Sequence, residues 1–207
     1  MTEHTRITAL LVAAASLLAS CRSAPRPLTV AITFENTWKV GGEALSAGEQ
    51  ALVRRAAVDA MRAAFQGFDV RIAEGSTGAR TVRVEDTPYG RLNFGAAGVT
   101  YPAAYVSSVR FDVLANLELA AVQCRDFAHC PAMPRQRLVE GLGRGVGATA
   151  AHELGHQAGL RFGLDSRCAD CFDSRNSASF EHFFGPLHWS ERARQIMTRT
   201  LPRLDSG

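Results

Sequence analysis

The stretch RLVEGLGRGVGATAAHELGHQAGL, residues 137–160, restricts what this chain can become more than any other part of it. It reads as a helix, yet Gly141, Gly143, Gly145, Gly147 and Gly155 all stand inside it. Each glycine costs a helix up to about 1 kcal/mol relative to alanine, so the segment cannot hold its shape by propensity. Tertiary packing has to hold it. Small residues at this density let a neighbouring backbone come close, which suits a central helix lying on a sheet and would be odd at a surface. The fold is therefore expected to be assembled around this helix.

The preceding residues supply the covering layer. LTVAITF, residues 28–34, alternates Val30, Ile32 and Phe34 with polar partners, as a half-buried strand does. Ser46 and Glu49 have capping-box spacing and open a helix that closes near Gly67. Along it Val53, Ala57, Ala60, Met61 and Ala64 form one apolar face, so it lies flat on a sheet. FDVRI, RTVRVE and SVRFDVL, carrying Phe68, Val70 and Ile72, then Val82 and Val84, then Val109, Phe111 and Val113, read as further strands. Residues 87–105 are glycine-rich and loop-like, long enough to shape a cleft. At the far end SASFEHFF reads as a short helix, and Ser190 caps a closing helix with Trp189, Ala193, Ile196 and Met197 toward the core. With 207 residues, 46% of them hydrophobic, one domain is expected. The class expected is α+β: a mixed twisted sheet, a long helix, a central helix and a small C-terminal subdomain.

The glycine-rich helix also carries the chemistry. His152 and His156 stand four residues apart, so both imidazoles project from one side and can chelate a single ion. Zinc suits them, since it takes neutral imidazole nitrogens and, in a catalytic site, three protein ligands with one position left open. Glu153 is rotated off that pair by one helical step, where it can take a proton from the water at the metal and act as general base.

Together His152, Glu153, His156 and Gly159 resemble the metzincin branch of zinc metallopeptidases, whose motif is H-E-x-x-H-x-x-G-x-x-H followed by a methionine-containing turn. The resemblance implies a zinc endopeptidase, with the glycine ending the helix and turning the chain toward a third ligand. Here Phe162 stands where the third histidine belongs, and Phe172, in CADCFDS, where the methionine belongs. The order of elements is loosely similar from Leu28 to Ser174, and the later cysteines bring archaemetzincins to mind without their exact pattern. Candidates for the third ligand are Asp165, Asp170, Asp173, Glu181, His182 and His188. Asp165 ranks first, because Gly163 offers a second bend and some metzincin relatives use aspartate. Glu181 follows, by likeness to the thermolysin branch, with His182 beside it.

At the N-terminus Arg6 precedes an uncharged apolar run from Ile7 to Ala19, short for a membrane span and right for the core of a secretory signal. Leu18, Ala19, Ser20 and Cys21 resemble the lipobox of bacterial lipoproteins, which implies cleavage before Cys21 and its lipidation. The expected organisation is a signal peptide over 1–20, a tether over 21–27 and a catalytic domain over 28–207. The expected location is extracytoplasmic, anchored by lipid to a bacterial membrane. Four cysteines then remain, and in an oxidising compartment the simplest pairing is Cys124 with Cys130 and Cys168 with Cys171, with a four-thiolate zinc site as the rival. The net charge of +3 and the absence of an aromatic-interleaved basic stripe argue against a nucleic-acid partner.

The function expected is hydrolysis of peptide bonds by a monomer with one zinc ion. The peptide or protein substrate would lie as an extended strand near residues 95–113. Two other readings stay open. One is an exported binding lipoprotein that holds metal weakly or not at all; the other is a zinc amidase acting on cell-wall amides.

Overall fold

A computed structural model describes residues 26–35, 38–86, 96–161 and 165–204. The proposed signal, Cys21, Phe162 and Gly163 lie outside these residues. Strands β1 (Leu28–Phe34), β4 (Val70–Glu74), β5 (Arg80–Glu85), β6 (Gly98–Tyr101) and β7 (Val106–Arg110) form one sheet in the order β4-β1-β5-β7-β6. All neighbours pair in parallel except β6, which runs antiparallel to β7 at the edge. A small hairpin of β2 (Lys39–Val40) and β3 (Glu43–Ala44) turns on Gly41 and Gly42, both in the left-handed region. The helices are α1 (Ala47–Ala64), α2 (Phe111–Ala121), α3 (Arg135–Gln157), α4 (Phe180–Phe184) and α5 (Glu191–Thr200). The sheet is mixed, as expected, but its parallel majority with a helical crossover from β1 to β4 makes the layer α/β in character, not the α+β arrangement expected.

The capping box at α1 forms: Ser46 donates its amide to Glu49 Oε2 at 2.9 Å, and the Glu49 amide reaches Ser46 Oγ at 3.3 Å. Its buried face is Val53, Ala57, Val58, Met61 and Ala64, with Val58 inward and Ala60 only half-buried, a correction of one position. Glu49 also receives Arg135 Nε at 2.5 Å, which ties the start of α1 to the start of α3 and holds the Glu49 carboxyl down at about 2.

Two sequence expectations fail in informative ways. Phe111 and Val113 do not continue β7, because the chain turns into α2 at Phe111. There Phe111, Leu114, Ala115, Glu118 and Leu119 are buried at helical spacing, and Phe111 stacks on Trp38 with ring centroids 4.5 Å apart. Three alternating residues had suggested a strand, whereas the apolar spacing over eleven is that of a helix. The second is the segment 87–105, read as loop throughout, whose later part contains the edge strand β6.

Helix α3 is almost wholly buried, but its glycines do not chiefly admit the sheet. They admit other helices. A Cβ built on Gly143 would lie 2.7 Å from the Val53 carbonyl oxygen, one on Gly147 would collide with the Ala57 carbonyl, and one on Gly145 would enter the Phe183 ring. Backbone of α1 thus rests directly on backbone of α3. Gly147→Ala is expected to lower the free energy of unfolding by about 2 kcal/mol, since a carbonyl cannot give way as a side-chain tip can; urea titration would measure this, and an unchanged midpoint would refute it.

Candidate metal centre

Helix α3 delivers His152 and His156 to a cleft of about 420 Å³, also lined by Ala97 and Gly98 of the edge strand region and by Phe172 and residues 174–178. The two Nε2 atoms face each other at 3.0 Å. Each ring is fixed from behind: His152 Nδ1 lies 2.9 Å from the Phe172 carbonyl oxygen, and His156 Nδ1 lies 2.9 Å from that of Leu160. A carbonyl can only accept, so both Nδ1 atoms carry a proton, and each ring in its neutral form presents a lone pair at Nε2.

Gly159 makes the second of these contacts possible. Its φ of 104° is one that side-chain-bearing residues rarely adopt, and it ends α3 with the Leu160 amide donating back to the Gly155 carbonyl at 3.0 Å. The turn swings the Leu160 carbonyl beneath His156.

Among the six candidates for a third ligand, the structure brings Asp165 to the pair. Its Oδ1 lies 3.9 Å from His152 Nε2 and 3.7 Å from His156 Nε2. The others are engaged elsewhere. Asp173 is buried and accepts from the Ser190 amide at 2.9 Å and the Ser190 hydroxyl at 2.5 Å, holding the residue that caps α5. His182 points Nε2 at Thr149 Oγ1 (3.0 Å) and the Gly145 carbonyl (3.1 Å), and burial pushes its pKa down to about 4. Glu181 sits in the first turn of α4, outside the group. Asp170 and His188 cluster with Cys168 and Cys171, but those two sulfurs are joined in a disulfide and offer no thiolate. Cys124 and Cys130 form the other disulfide, so both expected pairings are present.

The residues fit a divalent cation for a specific reason. When both imidazoles are neutral and donate from Nδ1 they cannot hydrogen bond to one another through Nε2, so their approach sets lone pair against lone pair, with a carboxylate beside them. A tetrahedral zinc ion with bonds of about 2.05 Å would separate two ligand nitrogens by roughly 3.3 Å, close to the 3.0 Å observed. Burial, and then the neighbouring His156, lower the pKa of His152, which keeps it in the ligating form.

Glu153 is buried beside this pair and lines the same cleft. Sequence reasoning missed what holds it. Gln157 Nε2 donates to Ser107 Oγ at 2.7 Å, Ser107 lies 2.8 Å from Thr100 Oγ1, and Thr100 Oγ1 lies 2.7 Å from Glu153 Oε2. The amide can only donate and the carboxylate can only accept, so the chain of donors runs one way and ends on Glu153. Burial raises the Glu153 pKa to about 7 against the opposing Thr100 bond. Gly98 in β6 clears the space, since a Cβ there would lie 2.6 Å from Glu153 Oε1. The only sequence signal was glycine and threonine in a segment read as loop.

The sequence matches no protein-family model and no curated protein. Solved structures share the fold. A zinc-dependent peptidase from Methanocorpusculum labreanum aligns over 81% of this chain and 99% of its own, with a TM-score of 0.50 and 11% identity. Archaemetzincin from Methanopyrus kandleri aligns over 85% of this chain and 97% of its own, with a TM-score of 0.51 and 15% identity. At these identities the likeness establishes a shared fold: this chain has a mixed α/β architecture of the kind found in archaemetzincin-type zinc peptidases.

Proposed function

We propose that this protein is a zinc-dependent endopeptidase, with His152, His156 and Asp165 holding one zinc ion and Glu153 acting as general base. The observation that carries the reading is the pair of lone-pair-bearing Nε2 atoms 3.0 Å apart with the Asp165 carboxylate beside them and Glu153 in the same cleft. Bound zinc would supply Lewis acidity, making a water acidic near neutral pH and polarising the scissile carbonyl. Glu153, held by Thr100, takes the proton of the attacking water and passes it to the leaving amine. Among the described residues β6 is the edge strand that borders the cleft, so a substrate lying as an extended strand would add to the sheet there.

The proposed setting is extracytoplasmic, with a lipid anchor at Cys21. The Leu18–Cys21 sequence supports it, and so do two disulfides, which persist in oxidising compartments. Among the described residues no helix is long and apolar enough to cross a membrane.

Purified protein should contain one zinc per chain and cleave unfolded protein in a chelator-sensitive manner. No zinc uptake at micromolar free metal would favour a binding lipoprotein instead, and cleavage confined to non-peptide amides would favour the amidase. Asp165→Ala should weaken zinc binding by at least the roughly tenfold to hundredfold that loss of a mere supporting group costs. Full retained affinity would exclude Asp165 as the third ligand.

A further inference from the structure

We propose that the Cys168–Cys171 disulfide is a positioning element of the metal centre: it closes the loop that carries both the Asp165 carboxylate and the Phe172 carbonyl orienting His152. The inference rests on the zinc site argued above. It assigns to this disulfide a role beyond general stabilisation.

The loop has a neck and a tip. At the neck, the Ser166 amide donates to the Asp173 carbonyl at 2.7 Å and the Arg175 amide to the Ser166 carbonyl at 3.0 Å. Arg175 also reaches across with Nε to the Asp165 carbonyl at 3.1 Å, gripping the backbone of the ligand residue itself. At the tip, the disulfide links residues three apart, and the Ser174 amide donates to the Cys171 carbonyl at 3.1 Å. Phe172 follows directly, its amide donating to the His188 carbonyl at 2.8 Å and its own carbonyl meeting His152.

Two of the contacts that shape the centre therefore leave from opposite sides of one short loop, hydrogen-bonded at its neck and cross-linked at its tip. Asp165 sits just before its neck, and the carbonyl that fixes the His152 tautomer sits one residue after the second cysteine. Neither belongs to a regular strand or helix that could hold it. A segment of this kind otherwise relies on a few hydrogen bonds, and the cross-link removes much of the freedom that metal binding would have to freeze out. The second disulfide offers a natural contrast. Cys124–Cys130 lies before the start of α3, whereas His152 lies 17 residues inside that helix, about 25 Å along its axis.

The decisive comparison is zinc affinity, measured by competition with a chromophoric chelator, for the wild type, Cys168→Ser/Cys171→Ser and Cys124→Ser/Cys130→Ser. The first double variant should bind zinc roughly ten to a hundred times more weakly and show an altered visible absorption spectrum when cobalt replaces zinc. The second should match the wild type in both. Equal affinity and equal cobalt spectra for wild type and the first variant would overturn the proposal while leaving the zinc site standing. A wild type with both disulfides intact that takes up no zinc would overturn the zinc site itself, and this inference with it.

Should the first variant fail to fold, the coupling can be read in reverse on the wild type, because linkage makes it reciprocal. At equilibrium with a glutathione redox buffer, in which two glutathione thiols reduce the protein disulfide to two thiols and become one glutathione disulfide, one equivalent of bound zinc should make Cys168–Cys171 about tenfold or more harder to reduce and leave Cys124–Cys130 unaffected, by alkylation and mass spectrometry. Equal reduced fractions with and without zinc would refute the coupling.

Discussion

Glu153→Gln is expected to lower kcat by about a thousandfold while zinc stays bound at the wild-type affinity, because in the proposed mechanism the carboxylate moves a proton and does not touch the ion. Glutamine has the same shape. Its side-chain oxygen can still accept from Thr100 Oγ1, which lies 2.7 Å from Glu153 Oε2, so the donor chain from Gln157 through Ser107 keeps its terminus. The space cleared by Gly98 also accommodates it. What is lost is the proton acceptor alone. Burial has raised the Glu153 pKa to about 7, near the value at which a general base combines availability with driving force. The variant should therefore be tested by turnover together with metal content. Full zinc with residual activity above about a tenth would move the base to another group, and loss of zinc would mean that Glu153 supports the metal after all.

How far the centre could be read from sequence depended on whether geometry was local. His152, Glu153, His156 and Gly159 lie within eight residues, and helical spacing alone placed both rings on one side. The proposed third ligand was harder, because Asp165 is brought in by contacts from Ser166 and Arg175 that no periodicity announces. Thr100 was harder still. It lies 53 residues from Glu153 and reaches it only because β6 pairs antiparallel with β7, a pairing specified by tertiary packing.

The same distinction governs the fold. The capping box and the face of α1 were legible because they follow from residues a turn apart. Glycines in α3 announced close packing but not its partner: they meet α1 and α4, and nothing in residues 137–160 says which neighbour will come close. Phe111–Ala121 was misread because its first residues alternate like a strand before helical spacing takes over.

That misread helix carries the residue for which the largest stability effect is expected. Glu118 is fully buried on α2, and neither carboxyl oxygen has a hydrogen-bond partner among the described residues. It fits because Gly141 has no side chain: a Cβ there would lie 2.6 Å from Glu118 Oε1. Burial drives the Glu118 pKa from 4.5 up to about 9, the nearby Leu142 backbone being the opposing influence. The folded state therefore holds a proton that the unfolded state releases at 4.5. Between these values folding binds a proton, so the contribution of Glu118 to stability is greatest at low pH and falls as pH rises, by up to about 1.4 kcal/mol per pH unit.

At pH 7 the penalty amounts to about 3 kcal/mol, an order of magnitude set by the distance from 4.5 to 7. Glu118→Gln keeps the shape and neutrality of the protonated acid, so the two proteins should be equally stable at pH 4.5. At pH 7 the variant should unfold roughly 10 °C higher, and the gap should widen toward pH 9. Melting both in excess chelator removes any contribution from metal binding, and subtracting one curve from the other removes every titration they share. Parallel stability profiles across this range would mean that Glu118 ionises normally in the folded chain, and that the space beside Gly141 is wetter than its packing implies.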